Sequence, residues 1–476
     1  MNAVGRVEPA RSHIAPAAWA ALAGAVALAL GLASSVGTNV AVGLAILVTA
    51  GAATMLNPAV MLVILAASVY LEILSVGGVS ISRLLAPVAL LFITFEWLRA
   101  RAALRPAMPL AFVAAYSTWA LASLLWTVSP SDTVTLLASL CIALIYMASF
   151  AMLTNSAATL RRVLYVLAGA SLIVGAISLA SVAGITSFSQ DLQAGRAQGG
   201  VGDPNFFANV QLVAFPLVLA LAAETKREWV RLGLYGVALI AVASILSTLS
   251  RGGLIALVVV LAIVPFLRSR SLLGTPRHKA VVLIFLAAGL VALFSRPTFR
   301  AEVTARATSI FVSSSGDSSS NSGSGRTEIW KAARHAIDDH PLLGVGYGAF
   351  PTVSTEYLLN TPGIDPVAFT ARPIEAHSTA IGTTAEIGVI GLALFVAMVL
   401  ATGVFLRRTA RRAFSAGADF AGRVANALIL SLVGWALSSL FIETETSRPL
   451  WIIIGLALAL PQLIPRGAPS SRTAAS

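Results

Sequence analysis

Long uninterrupted runs of apolar residues restrict the fold of this chain more than any other feature of its sequence. A helix crosses the hydrocarbon core of a bilayer with about 20 apolar residues. Runs of roughly this length lie near 15–35, 38–56, 58–76, 84–98, 107–126, 133–153, 161–185, 204–222, 231–248, 253–267, 280–295, 381–406, 424–441 and 449–464. Because the runs at 38–56 and 84–98 are short or weakly bounded, the sequence predicts an all-α, polytopic transmembrane bundle of about 12–14 spans.

The composition excludes several other classes of protein. Apolar residues make up 57% of the chain and charged residues 11%, whereas soluble domains are about 45–50% apolar and about 25% charged. A soluble enzyme, a disordered scaffold and a secreted domain are therefore excluded. A β-barrel porin is excluded as well, because barrel strands alternate polar and apolar residues. The first apolar run lacks a convincing cleavage site, so we predict no signal peptide.

The positive charges fall in alternate loops and predict the orientation of the chain. The net charge is +12, and one set of loops carries Arg99, Arg101, Arg105, Arg161, Arg162, Lys226, Arg227, Arg231, Arg268, Arg270, Arg277, Lys279, Arg407, Arg408, Arg411 and Arg412. Cytoplasmic loops are rich in Lys and Arg, so we predict that these loops and both termini are cytoplasmic. The excess charge then needs no nucleic-acid partner. The loops predicted outside are 127–132, 186–203, 249–252, 296–380 and 442–448.

The longest predicted exterior loop covers 296–380. An N-terminal transmembrane bundle (1–295) precedes it, and C-terminal transmembrane helices (381–464) and a cytoplasmic tail (465–476) follow it. The loop opens with a flexible Ser/Gly linker over 312–325. RTEIWKAARHAIDDHP follows and predicts an amphipathic helix of about fourteen residues, with Ile329, Trp330, Ala333 and Ile337 on one face. The stretch after Pro341 is predicted to be loop with turn residues, including a tight turn at GVGYG (344–348).

Several polar residues in the exterior loops are candidates for a functional site. Asp203 before Pro204 is a helix-start signature, and it places Asn205 at the bilayer edge. Arg251, followed by two glycines, is interpreted either as an arginine that snorkels to the headgroups or as an anion contact. Arg326 begins the predicted loop helix and is, taken alone, a solvated charge.

His377 precedes a span and has carboxylates nearby in sequence, Glu375 and Glu386. It is interpreted either as an interfacial histidine without a task or as a general base beside several arginines. The chain has one cysteine, Cys141, no HExxH motif and no carboxylates at metal-ligand spacing. We therefore predict no disulfide, no metal site and no cofactor.

Together these stretches resemble the O-antigen ligase and polymerase family. The resemblance is carried, in the order of the family, by GDPNFFAN (202–209), LSRGG (249–253), RTEIW (326–330), HPLLGVGYGAF (340–350), AHSTAIGTTAEIGVIGL (376–392) and RPLWIIIGLALAL (448–460). It covers roughly 190–460. One departure is Ser378, since the family commonly has Asn after the histidine; Ser can still donate a hydrogen bond.

The resemblance implies a metal-independent, C-type glycosyltransferase of the bacterial inner membrane with its active site facing the periplasm. Such enzymes transfer a glycan from undecaprenyl pyrophosphate to a lipid, a glycan or a protein. It implies that Arg251 and Arg326 contact the pyrophosphate and that His377 is the base. We further predict substrate contacts for Arg196, Asp203, Asn205, Arg372 and Glu386.

Other functions stay open at this point. Ligase and polymerase share these motifs, so the sequence does not separate them. A flippase or other transporter would carry functional charge near the middle of the membrane, and a scaffolding membrane protein is a third class. The clustering of charge at one predicted edge favours the transferase.

Overall fold

A computed structural model describes residues 58–70, 75–76, 79–100, 104–185, 196–199, 201–264, 295, 300–301, 326–361 and 374–465. These residues are mainly helical, and they confirm the all-α, polytopic class. The predicted spans near 15–35 and 38–56 lie outside the described residues, as do the Ser/Gly linker, the C-terminal tail after Pro465 and, except for Ser295, the span near 280–295.

The described helices follow the predicted spans closely. They are α1 (Pro58–Ser68), α2 (Ile81–Ala100), α3 (Met108–Ala122), α4 (Pro130–Leu153), α5 (Ala157–Val182), α6 (Pro204–Glu224), α7 (Glu228–Ser247), α8 (Arg251–Ile263), α9 (Arg326–Asp339), α10 (Phe350–Leu359), α11 (Thr379–Ser415), α12 (Asp419–Ser439) and α13 (Arg448–Ala459). Short 3₁₀ turns extend α3 over Ser123–Leu125 and α13 over Leu460–Leu463. Within the described ranges, eight of these helices are long and apolar enough to cross a bilayer, and α1, α8 and α13 are shorter apolar helices.

Two local predictions are wrong, and one confirmed span carries a break that was not predicted. The run 58–76 is not one span, because α1 ends at Ser68 and Ser75–Val76 pairs with Val79–Ser80 in a small antiparallel hairpin. The stretch after Pro341 is not all loop, since α10 forms within it, with Pro351 in its first turn. The span over 381–406 is not continuous, because α11 is interrupted at Ile387 and Gly388.

The described parts of the two sets of loops predicted from charge lie at opposite ends of the bundle. One end, called here the His377 end, gathers 123–132, 196–199, 201–204, 247–251, 326–361, 374–379 and 440–448. There the Thr379 amide donates to the Ile442 carbonyl at 3.1 Å and the Val128 amide to the Val345 carbonyl at 3.0 Å. The other end, called the Glu224 end, gathers 153–157, 224–228 and 415–419, where Arg423 and Arg161 both bind Glu224.

The core of the bundle forms around α6, most of which is buried. The C-terminal helices pack directly on the N-terminal ones: α12 lies on α6, α11 on α3, and α13 on α4. Two buried amides of α6 are paired across helices. Asn209 donates to the Ser438 hydroxyl at 2.6 Å, and Gln211 accepts from Ser171 at 2.6 Å. Such pairs fix the contacts between apolar helices, because an unpaired amide in hydrocarbon costs several kcal/mol.

Candidate functional site

His377 stands at the start of α11 in an unusual backbone conformation. Its φ of 51° lies in the left-handed region, which costs a non-glycine residue about 1–2 kcal/mol. The neighbouring residues hold it there. The Trp330 indole N–H donates to the Ala376 carbonyl at 2.9 Å, and the Thr379 amide and hydroxyl both donate to the Ile442 carbonyl. The strain is therefore fixed by α9 on one side and by the α12–α13 loop on the other.

Ser378, the departure from the family pattern, has a structural task. Its hydroxyl caps α11 by accepting from the Ile381 amide at 3.5 Å. A serine satisfies one of the open N–H groups at a helix start about as well as asparagine does. The substitution therefore keeps the geometry that presents His377.

The surroundings of His377 favour its neutral form. Burial lowers the pKa of the imidazole below its ordinary value, and the positive charge of Arg326 lowers it further. Glu375 and Asp203 act in the opposite direction. A histidine that is neutral near neutral pH has a ring nitrogen available to accept a proton.

Arg326 reaches this position because α9 packs on the loop before α11. The predicted apolar face of α9 is confirmed: Ile329 and Ala333 are buried, and Trp330 and Ile337 are half-buried. The face packs against Ala376, which immediately precedes the histidine, and against Ala385 on α11. The first turn of α9, where Arg326 lies, is thereby brought beside His377.

Arg196 and Asn205 form a second part of the site. The Arg196 Nε donates to the Thr248 carbonyl at 2.9 Å, and its terminal nitrogen donates to the Asn205 amide oxygen at 3.4 Å. Asp203 caps α6 by accepting from the Phe206 amide at 2.8 Å, as its sequence predicts. The charge of Asp203 also acts on His377, so these residues belong to the same region.

Arg251 is the first residue of α8 and is half-buried at the His377 end. The two glycines after it allow close helix packing. A methyl group on Gly253 would lie 2.7 Å from the Ala208 Cβ, and one on Gly252 would lie 2.7 Å from the Phe441 ring. The glycines therefore seat the start of α8 against α6 and the α12–α13 loop, which fixes the position of Arg251.

The GVGYG turn fills the break in α11. Gly388 adopts a φ of 70° and opens the hydrogen-bond ladder of the helix. The Val345 amide then donates to the Ala385 carbonyl at 2.9 Å, and the Gly346 amide donates to the Glu386 carbonyl at 2.7 Å. The Trp119 indole donates to the Ile387 carbonyl at 3.0 Å. The turn thus replaces the helical partners that the break removes, as buried backbone groups require.

Three carboxyl groups lie close together between α11 and the loop that joins α12 to α13. Glu386 and Glu445 are buried, at 5% and 8% exposure, and Glu443 is half-buried. Burial raises the pKa of Glu445 to about 7. Burial and the nearby Glu445 raise the pKa of Glu443, whose carboxyl accepts a hydrogen bond from the Ala376 amide. Sequence reasoning singled out Glu386 and missed the other two, although the ETET segment in a predicted exterior loop was a signal.

The structure brings together most of the predicted site residues. His377, Arg326 and Asp203 interact electrostatically, Arg196 and Asn205 are hydrogen-bonded, and Arg251 begins a helix at the same end. Glu386 lies behind them in the break of α11, and Arg372 lies outside the described residues. In the part of the chain that the structure describes, no group of three or more His, Cys, Asp or Glu has a metal-binding arrangement.

Comparison with known families supports the predicted resemblance. Residues 236–396 match the family model described as O-antigen ligase. This region includes Arg251, Arg326, His377 and the break in α11, and it lies within the 190–460 predicted from the motifs. The resemblance to the O-antigen ligase and polymerase family is confirmed over this region. No curated protein matches the chain.

Proposed function

We propose, on the premise that residues 236–396 match the O-antigen ligase family, that the protein is a membrane glycosyltransferase that moves a glycan from undecaprenyl pyrophosphate to an acceptor hydroxyl. The observation that carries the proposal is the environment of His377. The residue has a left-handed backbone, is half-buried, and lies beside Arg326, which lowers its pKa. Strained and electrostatically tuned residues of this kind cluster at active sites.

In the proposed reaction His377 is the general base. Its neutral imidazole takes the proton of the acceptor hydroxyl, and the acceptor oxygen attacks the anomeric carbon of the donor glycan. The bond between that carbon and the pyrophosphate oxygen breaks, and undecaprenyl pyrophosphate leaves with the electron pair. A single displacement inverts the linkage. The proton then passes from the half-exposed imidazole to solvent.

The arginines account for the leaving group in this proposal. Arg251 and Arg326 bind the pyrophosphate, because guanidinium groups present a planar fork of donors that matches phosphate oxygens. Arg196, Asp203, Asn205, Arg372 and Glu386 are the further substrate contacts we propose. Glu386 would act from the interior of α11, where its carbonyl accepts from the Gly346 amide and its carboxyl group is buried.

We propose that this chemistry needs no metal, since arginines supply the charge that stabilises the leaving group. The test is transfer by the purified protein in the presence of EDTA. Unchanged transfer is expected. Strong inhibition that added Mg²⁺, Mn²⁺ or Ca²⁺ reverses would overturn the metal-free mechanism.

The proposed setting is the bacterial inner membrane, with both termini in the cytoplasm and the His377 end outside. The segregation of the two loop sets to opposite ends of the bundle supports this orientation. In a Cys141→Ser background, a cysteine at Ser318 should react with an impermeant reagent added outside whole cells, and one at Ser415 should not. The reverse labelling pattern would place the site on the wrong side of the membrane.

Polymerase activity is the alternative within this class, and transport of the lipid-linked glycan is the alternative outside it. Reconstituted protein given the purified lipid-linked glycan and candidate acceptors separates them by mass analysis of the products. A ligase joins the glycan to a different acceptor, a polymerase lengthens the glycan on its lipid, and a transporter forms no new bond. Formation of neither bond by active, correctly folded protein would overturn the proposal.

A further inference from the structure

A cavity lies at the C-terminal end of α9, the end opposite Arg326. Its volume is about 370 Å³, and its polar lining consists of His335, Asp339, His340, Glu356, Tyr357 and Asn360. These side chains come from α9, from α10 and from the residues that end each helix. None of them is used by the proposed transfer reaction.

The lining chemistry selects the class of ligand. It contains two carboxylates and no Lys or Arg, so the cavity repels a diphosphate. The His335 and Tyr357 rings stand edge to face with centroids 5.5 Å apart, and the Tyr357 hydroxyl is hydrogen-bonded to Asp339. Carboxylates accept from hydroxyl groups, Asn360 both donates and accepts, and aromatic rings pack on apolar C–H faces. A neutral or cationic polyhydroxylated ligand satisfies all of these groups.

The cavity is connected to the transfer site through two rigid elements. Asp339 lies thirteen residues beyond Arg326 on α9, a separation of about 20 Å for a straight helix. Val345 lines the cavity, and its amide is one of those that fill the break in α11. A ligand held here is therefore kept at a fixed distance from Arg326, one that an extended oligosaccharide can bridge and a single sugar cannot.

We propose that this cavity is a saccharide-binding subsite for the part of a glycan substrate remote from the reacting end. The inference rests on the proposed function, because it assumes that a glycan reaches His377. Donor and acceptor glycans share the chemistry that the cavity recognises. The subsite would hold either the donor or the acceptor glycan in a fixed position relative to the reacting end. Transfer would then depend on the length of that glycan.

The test measures binding separately from transfer. The probes are oligosaccharides of one sugar and of several repeat units, released by mild acid from the envelope polysaccharide of the source bacterium. Saturation-transfer NMR follows their binding to the full-length protein in nanodiscs. We expect Glu356→Gln and Asn360→Ala to weaken binding of the long probe by about tenfold. Arg334→Gln is the control, since Arg334 lies on the exposed side of the same helix, and it should bind like the wild type.

The outcomes separate this inference from the proposed function. The His377→Ala protein should still bind the long probe, so the subsite survives even if His377 proves not to be the base. In transfer assays, the substrate whose KM rises in Glu356→Gln identifies the donor or the acceptor as the source of the glycan. Variants that keep the wild-type unfolding temperature and bind the long probe as tightly as the wild type would overturn the subsite. Equal weakening for single sugars and long probes would overturn the bridging role.

Discussion

The two ends of the helix bundle both carry arginines but use them differently. At the Glu224 end, Arg423 and Arg161 bind Glu224 at 2.6 Å and 3.2 Å, and Arg161 also lies 5.1 Å above the ring of Phe420. At the His377 end, Arg196 binds a carbonyl and an amide oxygen, and Arg326 lowers the pKa of a histidine.

We infer from this difference a division between structural charge at one end and functional charge at the other. At the Glu224 end, one carboxylate on α6 binds arginines on α5 and α12 and ties the three helices together. At the His377 end, positive charge is placed beside a histidine whose backbone is strained, in a region that also holds buried carboxyl groups. Helix α11 joins the two ends, and it is regular over most of its length but broken at Ile387 and Gly388, in the part nearer to the His377 end.

The largest expected effect follows from replacing His377 with alanine. If His377 is the base, transfer should fall by about 10²–10⁴-fold, the usual contribution of a general base. Binding of the lipid-linked donor should remain, because the proposed pyrophosphate contacts are arginines. Initial rates of transfer and equilibrium donor binding measure the two effects. Transfer within about threefold of the wild type would show that another residue is the base.

Lysine in place of arginine tests the contrast between the two ends directly. Arg251→Lys should lower transfer by about 10–100-fold, because lysine keeps the charge but not the fork of donors that grips a diphosphate. The matched control at the other end is Arg161→Lys, which should transfer at nearly the wild-type rate. Similar activity for both variants would mean that Arg251 only snorkels to the headgroups.

Two glycines within α11 compare its broken and regular parts. Gly388→Ala should destabilise the protein by about 1–3 kcal/mol and lower transfer about tenfold, because alanine is strained at this φ and its methyl group would collide with the Leu342 carbonyl. Gly403 lies in the regular part, where an added methyl group would meet only Leu432 at 3.8 Å. Gly403→Ala should leave transfer unchanged and raise stability by about 0.5–1 kcal/mol. Thermal unfolding in detergent measures the stability of the two variants, and initial rates measure their transfer. Equal effects of Gly388→Ala and Gly403→Ala would show that the break is unimportant.

Much of the fold was predictable from sequence because hydropathy and loop charge act locally. The spans over 107–126, 133–153 and 204–222 correspond to α3, α4 and α6, and the face of α9 follows from its 3.6-residue period. The break in α11 was not predictable in this way. Ile387 and Gly388 are apolar, so the run reads as one span, and only the distant GVGYG turn supplies the partners that make the break stable.

The site was predictable in its main residues but not in its supports. His377 stood out as a polar residue at a predicted membrane edge and Arg326 through the family resemblance, and the structure brings the two together. Glu443 and Glu445 were missed because their burial results from packing between α11 and the α12–α13 loop, a contact between residues distant in sequence. The cavity between α9 and α10 was missed for the same reason, since α10 was predicted as loop.

Removing the carboxylate at the Glu224 end should affect stability without affecting chemistry. Glu224→Gln removes both ion pairs. The side chains of Glu224 and Arg423 are about one fifth exposed, and that of Arg161 is 44% exposed. A partly exposed pair of this kind contributes about 1–2 kcal/mol, between the values for surface and buried pairs. Thermal unfolding should shift accordingly, while transfer below the unfolding temperature should stay within about twofold of the wild type. A large loss of transfer with unchanged unfolding would contradict the division between the two ends.

The smallest effect, and the most specific, is on the pH dependence of transfer. In the proposed mechanism the reactive form of His377 is neutral, so kcat should fall as the pH decreases through its lowered pKa. Arg326→Gln removes a charge that lowers this pKa, so the acid limb of the kcat profile should move to higher pH. Glu375→Gln removes a charge that raises it, so the limb should move to lower pH, and Asp203→Asn should shift it in the same direction as Glu375→Gln.

Measurement at saturating donor separates these shifts from any loss of donor affinity in Arg326→Gln. Arg334→Gln, on the exposed side of α9, should leave the limb in place. If Arg326 and Glu375 had a purely structural role, both substitutions would lower the rate without displacing the acid limb in opposite directions. Displacement of the limb in the same direction in both variants would contradict the assignment of His377 as a base tuned by its charged neighbours.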